Sequence, residues 1–308
     1  MNLVLTEACN KGCLYCFAYG WSVQRGMDMP LEQACAIIDS CAESSIKSVR
    51  LLGGEPTLHN EFLKILDYSI RRLTDSTLIS NLLFDREILE GIVYLCTENP
   101  NKVLHILANG TDTIDDRFVY NYRRLSSIDN IRLSLGITVD RTLTARQHLR
   151  YLKVLLDHLP AIGRVRLSME FPSSVERWYD PVHDRDYGSV LYRIARFFLY
   201  RGVPVNFDCI ILPCMFTRRQ YNILAGETSC KTVCRGPAMD IDRYENVRYC
   251  FPCSDVVVHS YGDPTRDRER LKSLYNKRYD MIDSRCSECY YRKRNMCAGP
   301  CGAFQHSC

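Results

Sequence analysis

No stretch of this 308-residue chain is apolar for long enough to cross a membrane; its apolar runs are short, as in Ala34–Ile38. The opening MNLVLTEACNKGC lacks the basic stretch followed by an apolar one that marks a secretory signal, so the expected location is the cytoplasm. There is no internal repeat and no low-complexity tract. The seven histidines form no H-x3-H pair, which argues against a histidine metal site. The charge balance is also slight: the formal net charge is +4, too mild to argue for nucleic acid, and none is expected as a partner. Hydrophobic residues at 46% and charged residues at 25% supply a real core and exclude a mainly disordered chain. Nineteen tyrosines are scattered without a stacking pattern.

Cysteine is what the chain has in excess. Seventeen are present, six in residues 1–208 and eleven in 209–308. In a chain without a secretory signal such thiols point to metal binding or catalysis, because the cytosol keeps them reduced. An odd total also argues against a fully paired disulfide framework.

The first two-thirds alternates short apolar strands with amphipathic helices. Strands are expected at Asn2–Leu5, Val49–Leu52, Leu78–Leu82, Val103–Ala108, Ile131–Ile137 and Val165–Met169. Helical spacing joins Leu31, Ala34, Cys35, Ile38 and Cys41 after Pro30, and then Phe62, Ile65, Leu66, Ser69 and Leu73. It recurs in Ala145, Leu149, Leu152, Leu156 and Leu159, and a further helix is expected near Tyr187–Tyr200. Six βα units in series imply an α/β fold with a parallel sheet, open and curved because six strands are too few for a closed eight-stranded barrel. From about residue 206 the segments shorten and cysteines crowd. Two domains are therefore expected, 1–205 and 206–308, the second too poor in apolar sequence for a generous core and stiffened by metal clusters.

Cys9, Cys13 and Cys16 form C-x3-C-x2-C directly after the first strand. Three thiolates suit a [4Fe–4S] cluster with one iron left open; a zinc site would need a distant fourth ligand. Gly53-Gly54-Glu55-Pro56-Thr57 follows the second strand. Its glycines allow close backbone approach to a ligand, and its carboxylate can hold an ammonium group. Both motifs fall at the C-terminal edge of the strands, where α/β sheets bind ligands.

With these two motifs the sequence resembles the radical S-adenosylmethionine (SAM) enzymes over about residues 1–205, a family with a partial (β/α)6 barrel. The resemblance implies that Cys9, Cys13 and Cys16 hold a [4Fe–4S] cluster whose open iron takes the amino and carboxylate groups of SAM. It also implies that Tyr15 lies by the adenine and that Gly53, Gly54 and Glu55 bind the methionine amino group. Ser80-Asn81 stands at the family's ribose contact, with Leu82 where that motif has glycine, and Asn109 could reach the ribose or carboxylate. A reduced cluster of this kind gives SAM one electron, yielding methionine and a 5′-deoxyadenosyl radical that abstracts a substrate hydrogen.

The last hundred residues carry Cys286, Cys289, Cys297 and Cys301 as C-x2-C-x7-C-x3-C, preceded by Cys209, Cys214, Cys230, Cys234, Cys250 and Cys253. A four-thiolate zinc ribbon is one reading. Beside a radical SAM core the pattern resembles the cysteine-rich SPASM or twitch extension, which holds one or two auxiliary Fe–S clusters. Its middle spacer is usually five residues rather than seven. Eight cysteines match a SPASM-like subgroup, namely 209, 214, 234, 250, 286, 289, 297 and 301, with Cys230, Cys253 and Cys308 as alternates. Cys35, Cys41 and Cys96 read instead as core residues.

The resemblance implies maturation of a ribosomally made peptide by C–H activation. A first strand at residue 2 leaves no room for an N-terminal leader-recognition domain, so a separate recognition protein is expected, or direct peptide binding. The alternatives are dehydrogenation or rearrangement of a small molecule in natural-product biosynthesis, or a non-catalytic Fe–S electron carrier. Arg and Lys outnumber Asp and Glu ten to five over residues 264–294, either as a solvated face or to dock an acidic flavodoxin- or ferredoxin-type electron donor.

Overall fold

The computed structural model describes residues 1–13, 15–16, 27–44, 48–110, 114–160, 162–170, 184–232, 236–278 and 284–302. They fall into two compact units, one of Met1–Ser134 with Gly236–Tyr275 and one of Leu135–Arg235 with Asn276–Cys308.

The first unit opens with β1 (Asn2–Val4), α1 (Leu31–Glu43), β2 (Ser48–Leu52), α2 (Phe62–Arg72), β3 (Asp75–Ser80), α3 (Arg86–Glu98), β4 (Val103–Asn109) and α4 (Asp116–Ser126). β1 to β4 pair in parallel, in register at Leu3↔Leu51, Leu51↔Leu78 and Leu78↔Ile106. That row of leucines and isoleucine is fully or almost fully buried and forms the centre of the unit's core. Each such side chain contributes roughly 1.5–3 kcal/mol by leaving water. Side-chain caps fix where the helices start. Asp85 accepts from the Ile88 amide at α3, and Asp115 accepts from the Arg117 and Phe118 amides at α4.

β5 (Ile131–Val139) begins in the first unit and ends in the second. The second unit continues with α5 (Ala145–His158), β6 (Val165–Met169), α6 (Arg185–Leu199), β7 (Val205–Ile210), α7 (Arg218–Glu227) and β8 (Ser229–Lys231). Within it β5, β6, β7 and β8 pair in parallel. Complete capping boxes start α5 at Thr144 and Gln147 and α7 at Thr217 and Gln220. The chain returns to the first unit with β9 (Asp240–Ile241), β10 (Val247–Arg248), β11 (Val257–Val258) and most of α8 (Pro264–Arg278); α9 (Tyr290–Lys293) belongs to the second. β9 lies parallel to β1, Asn2 facing Asp240, and β10 and β11 extend it antiparallel.

The parallel α/β architecture is the expected one, and it differs in detail. The parallel run does not stop at six strands, since β7 pairs with β6 in the same sense. The contact division does not follow the expected break at 205/206, because Gly236–Tyr275 packs with the first unit through β9. β3 ends at Ser80, two residues early, where Leu82 turns into the left-handed region at φ 56°. Cys41 and Cys96 are buried as expected, but Cys35 is half-buried and Ile37 takes its place on the inner face of α1. On α5 the buried row is Ala145, His148, Leu152 and Leu155.

Candidate functional site

The segment that leaves β1 is held to the segment that leaves β2 by backbone. The Gly54 amide donates to the Thr6 carbonyl at 2.9 Å and the Glu55 amide to the Ala8 carbonyl at 2.8 Å. A Cβ on Gly53 would meet the Thr6 carbonyl oxygen at 2.3 Å, and one on Gly54 the Ala8 carbonyl oxygen at 2.3 Å. The paired glycines thus bring the chain close to its own cysteine loop, where the sequence suggested close approach to a ligand. Cys9, Cys13, Tyr15 and Cys16 follow, all half-buried, with the Cys16 amide donating to the Cys13 carbonyl at 3.0 Å. The far side of the loop is fixed as well. The Met29 amide donates to the Leu5 carbonyl, and the buried His59 ring holds the Met29 carbonyl at 2.7 Å. His59 Nδ1 accepts from the Glu61 amide, so Nε2 carries the proton given to Met29.

The Glu55 carboxylate is 1% exposed. Its Oε1 accepts from the Thr57 amide at 3.3 Å, the Thr57 hydroxyl at 2.8 Å and the Ser80 hydroxyl at 2.9 Å; its Oε2 accepts from the Asn81 amide at 2.8 Å. Burial pushes its pKa up, against the pull of these donors. Ser80 and Asn81 do reach Glu55, as members of one network at the ends of β2 and β3. Asn81 goes further: its Nδ2 donates to Asn10 Oδ1 at 2.7 Å, and its Oδ1 accepts from the Leu83 amide at 2.8 Å. Asn10 Nδ2 in turn donates to the Leu83 carbonyl at 3.1 Å. Asn109 ends the neighbouring β4 and is exposed. Burial raises the Cys9 thiol, with Glu55, Cys13 and Cys16 adding to the rise.

Asn10, a spacer residue of the cysteine motif, and His59, outside both motifs, carry no signal in the sequence, and Thr57, the last residue of the second motif, is given no role there. Asn121, buried on α4, carries no signal either; its Nδ2 donates to the Leu82 and Phe84 carbonyls at 2.9 Å each. It braces the left-handed turn that lets leucine stand where a glycine would be unstrained.

In the second unit Cys214, Cys286, Cys289 and Cys297 line one small cavity with Leu212, Pro213, Tyr291 and Gly299. Burial pushes the Cys214 thiol up to about 11, and Cys297, Cys289 and Cys286 add to it. The Gly299 amide donates to Cys297 Sγ at 3.3 Å. Cys209 and Cys301 are half-buried members of the same unit, and Cys250 and the fully buried Cys253 belong to the other. Cys234 and Cys308 lie outside the described residues. Among the described residues no three His, Cys, Asp or Glu side chains converge closely enough to bind a single metal ion. Both cysteine sets are all-thiolate, soft donors that suit iron–sulfur clusters, and an amide directed at a cysteine sulfur is the hydrogen bond that tunes such clusters. Among the described residues no helix is long and apolar enough to cross a membrane.

Residues 3–147 match the Radical SAM superfamily. Over 82 residues the chain is 34% identical to an S-adenosylmethionine-dependent nucleotide dehydratase of Selenomonas ruminantium, covering 26% of this chain and 29% of that one. Over 69 residues it is 36% identical to a GTP 3′,8-cyclase of Mannheimia succiniciproducens, covering 22% and 20%. The chain thus spans well under two thirds of these curated relatives. Among solved structures, SuiB of Streptococcus suis bound to S-adenosylmethionine superposes with a TM-score of 0.68 at 14% identity, over 98% of this chain and 72% of that one. SuiB bound to its precursor peptide SuiA superposes with a TM-score of 0.61 at 14% identity, over 94% and 68%. The chain carries a radical SAM domain, the enzyme domain of that superfamily, across residues 3–147.

Proposed function

We propose that the protein is a radical SAM enzyme that reductively cleaves SAM and abstracts a hydrogen atom from a ribosomally made peptide. The observation that carries the first part is the half-buried Cys9, Cys13 and Cys16 on a loop tied by backbone bonds to Gly54 and Glu55. Three thiolates on a four-iron cluster leave one iron for SAM. When bound, the cluster supplies the electron that splits the sulfonium. Gly53 and Gly54 frame the methionine end with the Glu55 carboxylate behind them, Ser80, Asn81 and Asn109 stand on the ribose side, and Tyr15 lies by the adenine. The chain's own part is to orient SAM and keep water from the radical.

The cysteine-rich tail holds an auxiliary [4Fe–4S] cluster on Cys214, Cys286, Cys289 and Cys297, supported by their shared cavity. The peptide substrate is supported by the fold shared with SuiB, a protein solved with its precursor peptide. A separate leader-recognition protein and an acidic flavodoxin- or ferredoxin-type donor complete the proposed partners.

A second reading is a nucleotide or other small-molecule substrate. It is favoured by the sequence relatives, which are a nucleotide dehydratase and GTP cyclases. Anaerobic incubation with SAM, a reductant and either a co-encoded peptide or nucleoside triphosphates separates the two. The peptide reading expects 5′-deoxyadenosine to rise with the peptide and the peptide's mass to change. A rise with nucleotides alone overturns it.

A further inference from the structure

Glu55 looks outward in the sequence and inward in the fold. Its carboxylate is 1% exposed, and four donors of this chain occupy its two oxygens. A carboxylate so enclosed has no open face for a ligand's ammonium group. What it does hold is the end of β3, through the Ser80 hydroxyl and the Asn81 amide. Asn81 then hands the constraint across 71 residues of sequence to Asn10, one position after Cys9. Asn10 closes the ring by donating to the Leu83 carbonyl, two residues beyond Asn81. The same Glu55 residue uses its backbone amide to hold Ala8. The loop entering the cysteine triplet is therefore fixed on both sides of Cys9, and both ties lead to Glu55.

We propose that Glu55 is a positioning residue that sets the Cys9 loop through Asn81 and Asn10, rather than a residue that contacts SAM. The inference rests on the assignment of Cys9, Cys13 and Cys16 to a cluster. Removing the charge at Glu55 leaves a buried donor facing an amide NH2, and the loop loses its anchor. The network predicts effects on the cluster before any SAM is added.

The test uses the full chain, anaerobically reconstituted, with the variants Glu55→Gln, Asn81→Ala, Asn10→Ala and Asn10→Asp. The readouts are the EPR spectrum of the reduced, SAM-free protein and the release of iron to a chelator, taken for the cluster whose signal responds to SAM. Glu55→Gln, Asn81→Ala and Asn10→Ala should each alter that spectrum and speed iron release about fivefold, the factor for one net hydrogen bond. Asn10→Asp keeps the acceptor for Asn81 but loses the donor to the Leu83 carbonyl, so it should recover only part of both. The effects of Glu55→Gln and Asn81→Ala should not add, since both cut one chain of contacts. A Glu55→Gln protein with a wild-type SAM-free spectrum and iron release, but weakened SAM binding, would overturn the inference and make Glu55 a direct contact. Wild-type behaviour of Asn81→Ala and Asn10→Ala would overturn it as well. If the wild-type chain takes up no iron at the triplet, the cluster assignment fails instead. Melting of the unloaded chain then decides the inference: a drop of about 2–4 °C in the three disruptive variants supports it, and unchanged melting contradicts it.

Discussion

Gly54 lies so close to Ala8 that a Cβ at its position would stand 2.3 Å from the Ala8 carbonyl oxygen. The obstacle is backbone, which cannot swing aside as a flexible side chain would. The small size of one residue after β2 thereby sets the path of the loop after β1 that carries the thiols.

Gly54→Ala should therefore displace the 6–10 segment. Overpacking of this kind costs roughly 1–3 kcal/mol. Lower melting temperature together with lower iron occupancy after anaerobic reconstitution is the expected outcome. A variant that melts and binds iron like the wild type would show that the close approach is not a constraint.

The strands β1 to β6 were legible because each holds a short run rich in Leu, Ile and Val bounded by polar residues, as in Val103–Asn109. The two motifs were legible because glycine and cysteine are rarely neutral. The remainder was hidden for identifiable reasons. Asn10 and Asn81 meet through side chains 71 residues apart, and no periodicity encodes that. β9 is two residues long and is defined by its partners, β10 beside it and β1 more than 230 residues earlier. The early end of β3 comes from Leu82 in a left-handed conformation, which a leucine does not advertise. The tail's eight candidate cysteines carried no sign of which four would share a cavity.

The buried Asp240 gives stability a pH dependence. Burial raises its pKa to about 7, although Asn2 donates to Oδ1 at 2.5 Å and the Phe251 amide and Arg248 pull it down. The folded state thus prefers the protonated acid. Its contribution is fully present below the ordinary carboxylate range near 4 and is lost as pH rises through about 7. Asp240→Asn mimics the protonated form and should melt higher than the wild type at pH 8, by up to roughly 4 kcal/mol in stability, with little difference at pH 4. The Met1 amine, lowered to about 6 by burial, titrates in the opposite sense and is held up by Asp240, so its titration also moves in the variant. A constant difference at every pH would contradict the assignment.

The quartet Cys214, Cys286, Cys289 and Cys297 predicts an iron count. One cluster on the quartet and one on the triplet give about eight irons per chain by chemical analysis. Replacing Cys286 and Cys289 together with alanine should leave about four, with the signal that responds to SAM intact. Zinc in place of iron in the wild-type tail would contradict the auxiliary cluster, and about twelve irons would add the second.

The central claim is that Cys9, Cys13 and Cys16 hold the cluster at which SAM is cleaved. Its most direct test is 5′-deoxyadenosine formation by the reduced, anaerobically reconstituted full chain and by its triple alanine variant. The account predicts 5′-deoxyadenosine from the wild type, and none from a triple variant that has lost about four irons while keeping those of the tail. Cleavage of SAM by the triple variant at the wild-type rate would contradict it.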